Sequence, residues 1–322
     1  RIDQLIPQKN GFLIREVKTI RSPLPDAEES LIDTYNDYFA QAAIYLSMLR
    51  VLPDYADLKL EAEVQFINIE NGARQSVALE PSEQALFEQQ MDRMQPFLEE
   101  RRSSINRLAE SKIEPAFDSL REGQGEFFEK LREAAIQSRC VLAEAPTGFG
   151  KTGILLEHAL KHMQAGHYER CIYLSSKSTG QLETIRQLKQ MTGERVRYIQ
   201  MRNRQEHRIE SDAHICTGDE RCESGMDQKW EDVGIRIPEL FQAGTLSLER
   251  AQALGAKLGL CPYSLTKACL PYAEVWIGDS NYVFGPESQS VFLGSQGFDP
   301  ARTLLIVDEA QNLTPHEVKT II

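Results

Sequence analysis

Cysteine is scarce in this sequence, with six among 322 residues, too few for the disulfide framework of a secreted scaffold; a reducing cytoplasm is the compartment this usage implies. No apolar run approaches the ~20 residues needed to cross a bilayer, and the first residues do not resemble a signal peptide, so no membrane partner is expected. Positive charge is also in deficit: 36 Lys and Arg stand against 48 Asp and Glu, a net charge of −12. That balance argues against a uniformly basic nucleic-acid binder, although binding depends on the local field. One local field is basic: Arg186, Lys189, Arg195, Arg197, Arg202, Arg204 and Arg208 face only Glu194 and Glu206 in the same stretch. Internal repeats are absent.

What remains is the composition of an ordinary globular protein, 41% hydrophobic and 26% charged, long enough for two cores. Residues 1 to about 80 read as a small α/β unit. "GFLIREVKTI" is a strand, "IDTYNDYFAQAAIYLSMLR" an amphipathic helix, and "LEAEVQFINIENGARQSVALE" a hairpin turning at Asn71-Gly72. Residues 81–137 read as a helical linker. From 138 to 322, strands "CVLAEAP", "RCIYLSS", "AEVWIGD" and "TLLIVDE" alternate with helices, the pattern of a parallel sheet buried on both faces. Between about 202 and 262 the pattern breaks into a polar, cysteine-bearing insertion. The chain starts at Arg1 and stops at "EVKTII" soon after a strand-and-carboxylate motif, and so reads as a fragment of something longer.

"AEAPTGFGKTGILLEHAL" sets a glycine-rich turn between a strand and a helix. Gly148 and Gly150 let backbone N–H groups face a phosphate, and the helix N-terminus adds partial positive charge. Lys151 is placed to reach the β- and γ-phosphates of ATP, and Thr152 to hold Mg²⁺. The strand "TLLIVDEAQNL" delivers Asp308 to the Mg²⁺ shell and Glu309 to the attacking water.

"EAPTGFGKT", "DEAQNL" and "CPYSLTKACLPYAEVWIGDSNYVF" together resemble the XPD/DinG-like branch of superfamily-two DNA helicases, over residues 120–322. The resemblance implies a RecA-like P-loop domain acting on DNA. It implies that Arg121 and Gln124 in "LREGQGEFF" form an adenine-recognising Q-motif, and that "YLSSKSTGQ" puts Thr179 and Gln181 near the DNA backbone. Gln311 stands where this branch usually has His. The branch also carries a [4Fe–4S] cluster held by four cysteines, the last opening a C-P-Y phrase. Cys261 matches that last ligand, and Cys216 and Cys222 the middle two. Where the first cysteine belongs, near 204–209, this sequence reads "RQEHRI", and His207 is the soft-metal ligand of that window. Cys269 is the weaker substitute, because eight helical residues separate it from Cys261 by ~12 Å along the axis. With Cys140 and Cys171 it reads as a buried small hydrophobe. Three cysteines and a histidine also suit Zn²⁺, and loss of the cluster is a further alternative.

At the amino terminus, Asp3 ends one strand and Glu16-x-Lys18 lies on the next, with residues 16 and 18 on one face. Two carboxylates can bind Mg²⁺ while Lys18 positions water and steadies phosphate charge. With "QAAIY", this set resembles the RecB-like group of PD-(D/E)xK nucleases, whose further signature Gln41 and Tyr45 fit one helical turn apart. The fold expected is therefore α/β: a truncated nuclease core (1–80), a helical linker with the Q-motif (81–137), and a first RecA-like domain (138–322) with a metal-binding insertion (about 202–262).

The function expected is an ATP-dependent DNA helicase–nuclease of bacterial or phage type, engaging single-stranded or branched DNA as in DNA repair. The alternative is a nucleotide-dependent DNA-binding switch with a decayed nuclease; a metal-sensing regulator ranks third. Lacking a second RecA-like domain, the chain alone is expected to hydrolyse ATP poorly and not to unwind DNA.

Overall fold

The computed structural model describes residues 2–21, 23–25, 28–79, 84–209, 230 and 233–313. Two compact units divide the chain, Arg1–Glu99 and Glu100–Ile322.

In the first unit, strands β1 (Gln4–Gln8) and β2 (Gly11–Ile20) form an antiparallel hairpin. Helices α1 (Glu28–Thr34) and α2 (Asn36–Arg50) then cross over to β3 (Lys59–Asn68), which pairs parallel to β2. Strand β4 (Arg74–Ala78) closes an antiparallel hairpin with β3, giving the order β1-β2-β3-β4. Gly72 takes the left-handed conformation that the Asn-Gly turn requires. Alternation on β3 turns Leu60, Ala62, Val64 and Phe66 inward, against Phe39, Ala42, Leu46 and Leu49 of α2. The helix expected as one piece is two. Tyr35 leaves the helical region at φ −122°, and its ring packs 5.3 Å from Phe66 instead.

Helix α3 (Gln84–Glu110) spans the boundary between the units, and α4 (Gln124–Gln137) follows. The second unit then builds a wholly parallel sheet from β5 (Arg170–Leu174), β6 (Tyr198–Gln200), β7 (Val275–Gly278) and β8 (Thr303–Val307), in the order β6-β7-β5-β8. Its helices include α5 (Lys151–Gln164), α6 (Ser178–Thr192), α7 (Leu248–Leu258) and α8 (Pro262–Cys269). One core cluster surrounds Leu156, Tyr173 and Ile277; another surrounds Ile172, Ile199 and Trp276.

Buried charges fasten the sheet's lower end. The Arg170 guanidinium lies 4.1 Å from the Trp276 ring and donates to the carbonyls of Pro271, Ala273 and Gly297. Glu274 accepts from Ser104 and from the backbone N–H of Arg197, and burial raises its carboxyl pKa.

One expected strand is missing. Residues 140–146, "CVLAEAP", join no ladder among the described residues, whose sheet ends at β8. The segment's polar contacts are local: Ser138 Oγ donates to the Cys140 carbonyl, and Lys151 Nζ to that of Ala145. Leu142 is 90% exposed, and Cys140 is exposed rather than buried, whereas Cys171 and Cys269 are buried as expected.

Candidate nucleotide site and carboxylate cluster

The phosphate loop enters α5 at Gly150, whose φ of +91° no branched residue adopts easily. A Cβ there would come within 2.6 Å of the Phe117 ring and 3.0 Å of Gln124 Nε2. Beside Gly148 (φ +77°) the space is open, with no atom within 4 Å of where a Cβ would stand. Gln124 is fully buried and fixes the loop from α4: its Oε1 accepts from the Arg121 N–H at 2.7 Å, and its Nε2 donates to the Phe149 carbonyl at 2.6 Å. Arg121 donates to the Gly148 carbonyl at 3.2 Å. Lys151 Nζ donates to the Ala145 carbonyl of its own loop at 3.1 Å.

Across the site, Asp308 and Glu309 follow β8. The backbone N–H of Asp308 bonds to the Leu174 carbonyl, continuing the ladder to the sheet's carboxyl end. Burial raises the Asp308 carboxyl pKa, the charge of Glu309 adds to that, and Lys151 opposes it. Thr152 Oγ1 stands 3.4 Å from the Tyr173 hydroxyl. A threonine hydroxyl and a crowded carboxylate are hard oxygen donors suited to Mg²⁺, whose charge would relieve the repulsion at Asp308. Glu309 takes φ +56°, a left-handed conformation unusual for a non-glycine residue, and Gln311 Nε2 donates to its carboxylate.

Residues after β5 line the same end. Thr179 is exposed at the start of α6. Gln181 is buried, donating to the Ser175 carbonyl and accepting from Gln200, both at 2.8 Å. Its amide therefore braces the loop. Gly180 approaches so closely that a Cβ would lie 2.2 Å from Ser175 Oγ. In the basic stretch Arg186 pairs locally with Glu183 and Arg202 with Glu206, while Arg197 pairs with the sequence-distant Glu100.

Sequence reasoning missed Tyr173 and Phe117. One hides inside an apolar strand and the other in an aperiodic segment, and neither belongs to a spacing pattern.

Cys216 and Cys222 lie outside the described residues. Cys261 is buried at the start of α8. His207 is fully buried; its Nδ1 lies 2.9 Å from the Asn203 carbonyl and its Nε2 3.2 Å from Thr266 Oγ1. Burial holds its imidazole pKa below the usual value. Both ring nitrogens thus have partners within the protein. Cys269 is buried, with its thiol pushed up to about 12. Among the described residues no group of three metal-ligating side chains converges, and no helix is long and apolar enough to cross a membrane.

In the first unit Glu16, Lys18, Gln41 and Tyr45 meet, whereas Asp3, expected at the end of a strand, stands before one and bonds to the backbone. Asp3 precedes β1, and its Oδ2 accepts from the Val17 N–H at 3.0 Å. Lys18 Nζ lies 2.8 Å from Glu16 Oε1 and 2.9 Å from Gln41 Oε1, and Gln41 Nε2 donates to the Tyr45 hydroxyl at 2.9 Å. Glu16 is almost wholly buried, and its Oε2 has no hydrogen-bond partner among the described residues.

A DEAD_2 family profile matches residues 110–320, about two thirds of the chain and the whole nucleotide site. The chain belongs to the DEAD_2 family. It is 26% identical, over 208 residues, to the general transcription and DNA repair factor IIH helicase subunit XPD of Dictyostelium discoideum. That match takes in 54% of this chain and 25% of the relative, so the chain spans about a quarter of the relative's length. A solved XPD helicase chain aligns with 61% of this chain and 33% of its own length, at 18% identity and a TM-score of 0.43. The parallel sheet and the phosphate loop both lie within the DEAD_2 match. The family match starts at residue 110, beyond the carboxylate cluster.

Proposed function

We propose that the chain is part of an ATP-dependent DNA helicase–nuclease, in which the DEAD_2 domain binds and hydrolyses ATP while the amino-terminal cluster cuts phosphodiesters. The observation carrying the first half is the Lys151 charge of the phosphate loop acting on the Asp308 carboxyl at the end of β8, within a DEAD_2 match. Lys151 would exchange the Ala145 carbonyl for phosphate oxygens, Thr152 and Asp308 would hold Mg²⁺, and Arg121 and Gln124 would set the loop against the adenine side. Mg²⁺ supplies charge neutralisation to the phosphates. Glu309 takes the proton of the water that attacks the γ-phosphorus, as the bond to the ADP oxygen breaks. DNA would follow the end of the sheet that carries Thr179, with Gln181 acting behind it as a brace. The XPD relative's name associates it with DNA repair, and the partner proposed for this chain is single-stranded or branched DNA.

The nuclease half rests on the Lys18–Glu16 contact and the unpartnered Glu16 Oε2 beside it. A buried carboxylate oxygen without a donor is costly, and a divalent cation would satisfy it. Asp3 and Glu16 would hold that cation, while Lys18, braced by Gln41 and Tyr45, steadies charge on the phosphate. Mg²⁺-dependent cutting of single-stranded and branched DNA by the wild-type chain, lost in Lys18→Ala, is the expected result. Cutting that survives Lys18→Ala would remove this half.

For the insertion we propose a [4Fe–4S] cluster on Cys216, Cys222 and Cys261. His207 as fourth ligand would have to release Thr266, and Cys269 would have to lose a strongly held proton. Zn²⁺ on the same residues is the alternative. Iron content and visible absorption of anaerobically purified protein, beside His207→Ala and Cys269→Ser, separate these cases.

One observation favours a second reading, a nucleotide-dependent DNA-binding switch. The Gln311 amide already holds the Glu309 carboxylate that should face the water. Nucleotide-dependent DNA binding without turnover would select it.

A further inference from the structure

Lys18 touches a residue outside the set formed by Asp3, Glu16, Gln41 and Tyr45. Its ammonium nitrogen stands 4.8 Å from the centre of the Tyr38 ring, one helical turn before Gln41 on α2. Tyr35 lies parallel to that ring, with centroids 5.5 Å apart and planes 4° apart, and Phe66 is tilted 6.4 Å away. Tyr38 is therefore a stiff wall backed by the first unit's core. Glu16 and Gln41 take two of the ammonium's three protons, and the aromatic face supports another side of it.

Glu16 has two tasks that compete. Its Oε1 is bound to Lys18, while its Oε2, buried and without a partner, is the atom free to meet a cation. A cation drawing the whole carboxylate toward itself would strip Lys18 of its ion pair. A lysine held only by Glu16 would instead follow the carboxylate and contest the site with the cation. The negative face of an aromatic ring attracts an ammonium without offering a lone pair to a metal, so it holds Lys18 while leaving Glu16 available.

We propose that Tyr38 is the positioning residue of the carboxylate cluster, its ring keeping the Lys18 ammonium in place while Glu16 serves a divalent cation. The proposal rests on the nuclease reading and deepens it. Tyr38 is a positioning residue acting through Lys18, and its ring is what matters rather than its hydroxyl.

The test uses the full chain as wild type, Tyr38→Phe and Tyr38→Leu, with thermal unfolding as a control for folding. The first readout needs neither metal nor DNA. In protein carrying ¹³C-labelled lysine, the ring current should shift the Lys18 ε-methylene signal upfield, assigned through Lys18→Arg. Tyr38→Leu should abolish that shift and Tyr38→Phe should keep it. The second readout is the Mn²⁺ concentration giving half-maximal DNA cutting, expected to rise about five-fold in Tyr38→Leu and to stay at the wild-type value in Tyr38→Phe. A Lys18 signal unaffected by Tyr38→Leu overturns the proposal, as does an unchanged Mn²⁺ midpoint in a chain that cuts. A Tyr38→Phe variant as impaired as Tyr38→Leu also overturns it, by assigning the effect to the hydroxyl. A wild-type chain that does not cut removes the nuclease reading and, with it, the proposal; cutting that is indifferent to Tyr38→Leu removes the proposal alone.

Discussion

Lys18 and Lys151 carry the positive charge of the two candidate sites, and the fold holds them in opposite ways. Lys18 stands within a ten-residue strand, between a carboxylate, an amide oxygen and an aromatic face that rests on the core. Lys151 opens a helix behind a glycine-rich loop, with its ammonium turned back on a carbonyl of that loop. The first lysine is in place before any ligand arrives. The second must give up a partner when phosphate binds. A strand site is thus organised by the packing beneath it, and a loop site by side chains that pin the loop, here Gln124 and Arg121.

The strongest way to break the contrast is to remove packing from beneath Lys18. Phe66→Ala should cost about 3–5 kcal/mol of the first unit's stability, because Phe66 is fully buried among aromatic rings. Chemical unfolding followed by tyrosine fluorescence should show that loss, with DNA cutting gone and ATP binding retained. Lys151→Ala should lower ATP hydrolysis about 100-fold without touching DNA cutting; phosphate release and gel assays on one preparation read both. Gln124→Ala should cost about 1–3 kcal/mol, since it leaves the Arg121 N–H and the Phe149 carbonyl without their partner. Its nucleotide affinity should fall together with its stability.

The smallest effect concerns pH. Burial depresses the His158 pKa from 6.5 to about 4 on α5, and the neighbouring charge of His162 adds to that. Over that window the unfolded chain binds more protons than the folded one, so stability falls as pH drops from 6.5 toward 4. The melting temperature of the second unit should decline over that window, and His158→Gln should flatten the decline.

Where side-chain position follows from backbone period, the sequence was readable. Glu16 and Lys18 share a strand face two residues apart, and Gln41 and Tyr45 share a helix face four apart, so their meeting needed only those periods. The parallel strands at 170, 275 and 303 were legible as short apolar runs. The segment 140–146 has the same look, yet it pairs with nothing, because a run of apolar residues says nothing about which edge it joins. Tyr38 and Tyr173 were invisible for another reason. Each acts by lying against a residue distant in sequence, 20 positions away for Lys18 and 21 for Thr152, and no local spacing encodes that. Gln181 shows the converse, since a motif named it while the fold turned its amide inward.

Titration of the full chain with a fluorescent ATP analogue and Mg²⁺, beside Lys151→Ala and Asp308→Ala, tests the central claim most directly. The account predicts saturable binding by wild type, weakened at least about ten-fold by Lys151→Ala, with the Mg²⁺ dependence lost in Asp308→Ala. Equal affinity in all three proteins would contradict it, and would leave the phosphate loop without the role assigned to it.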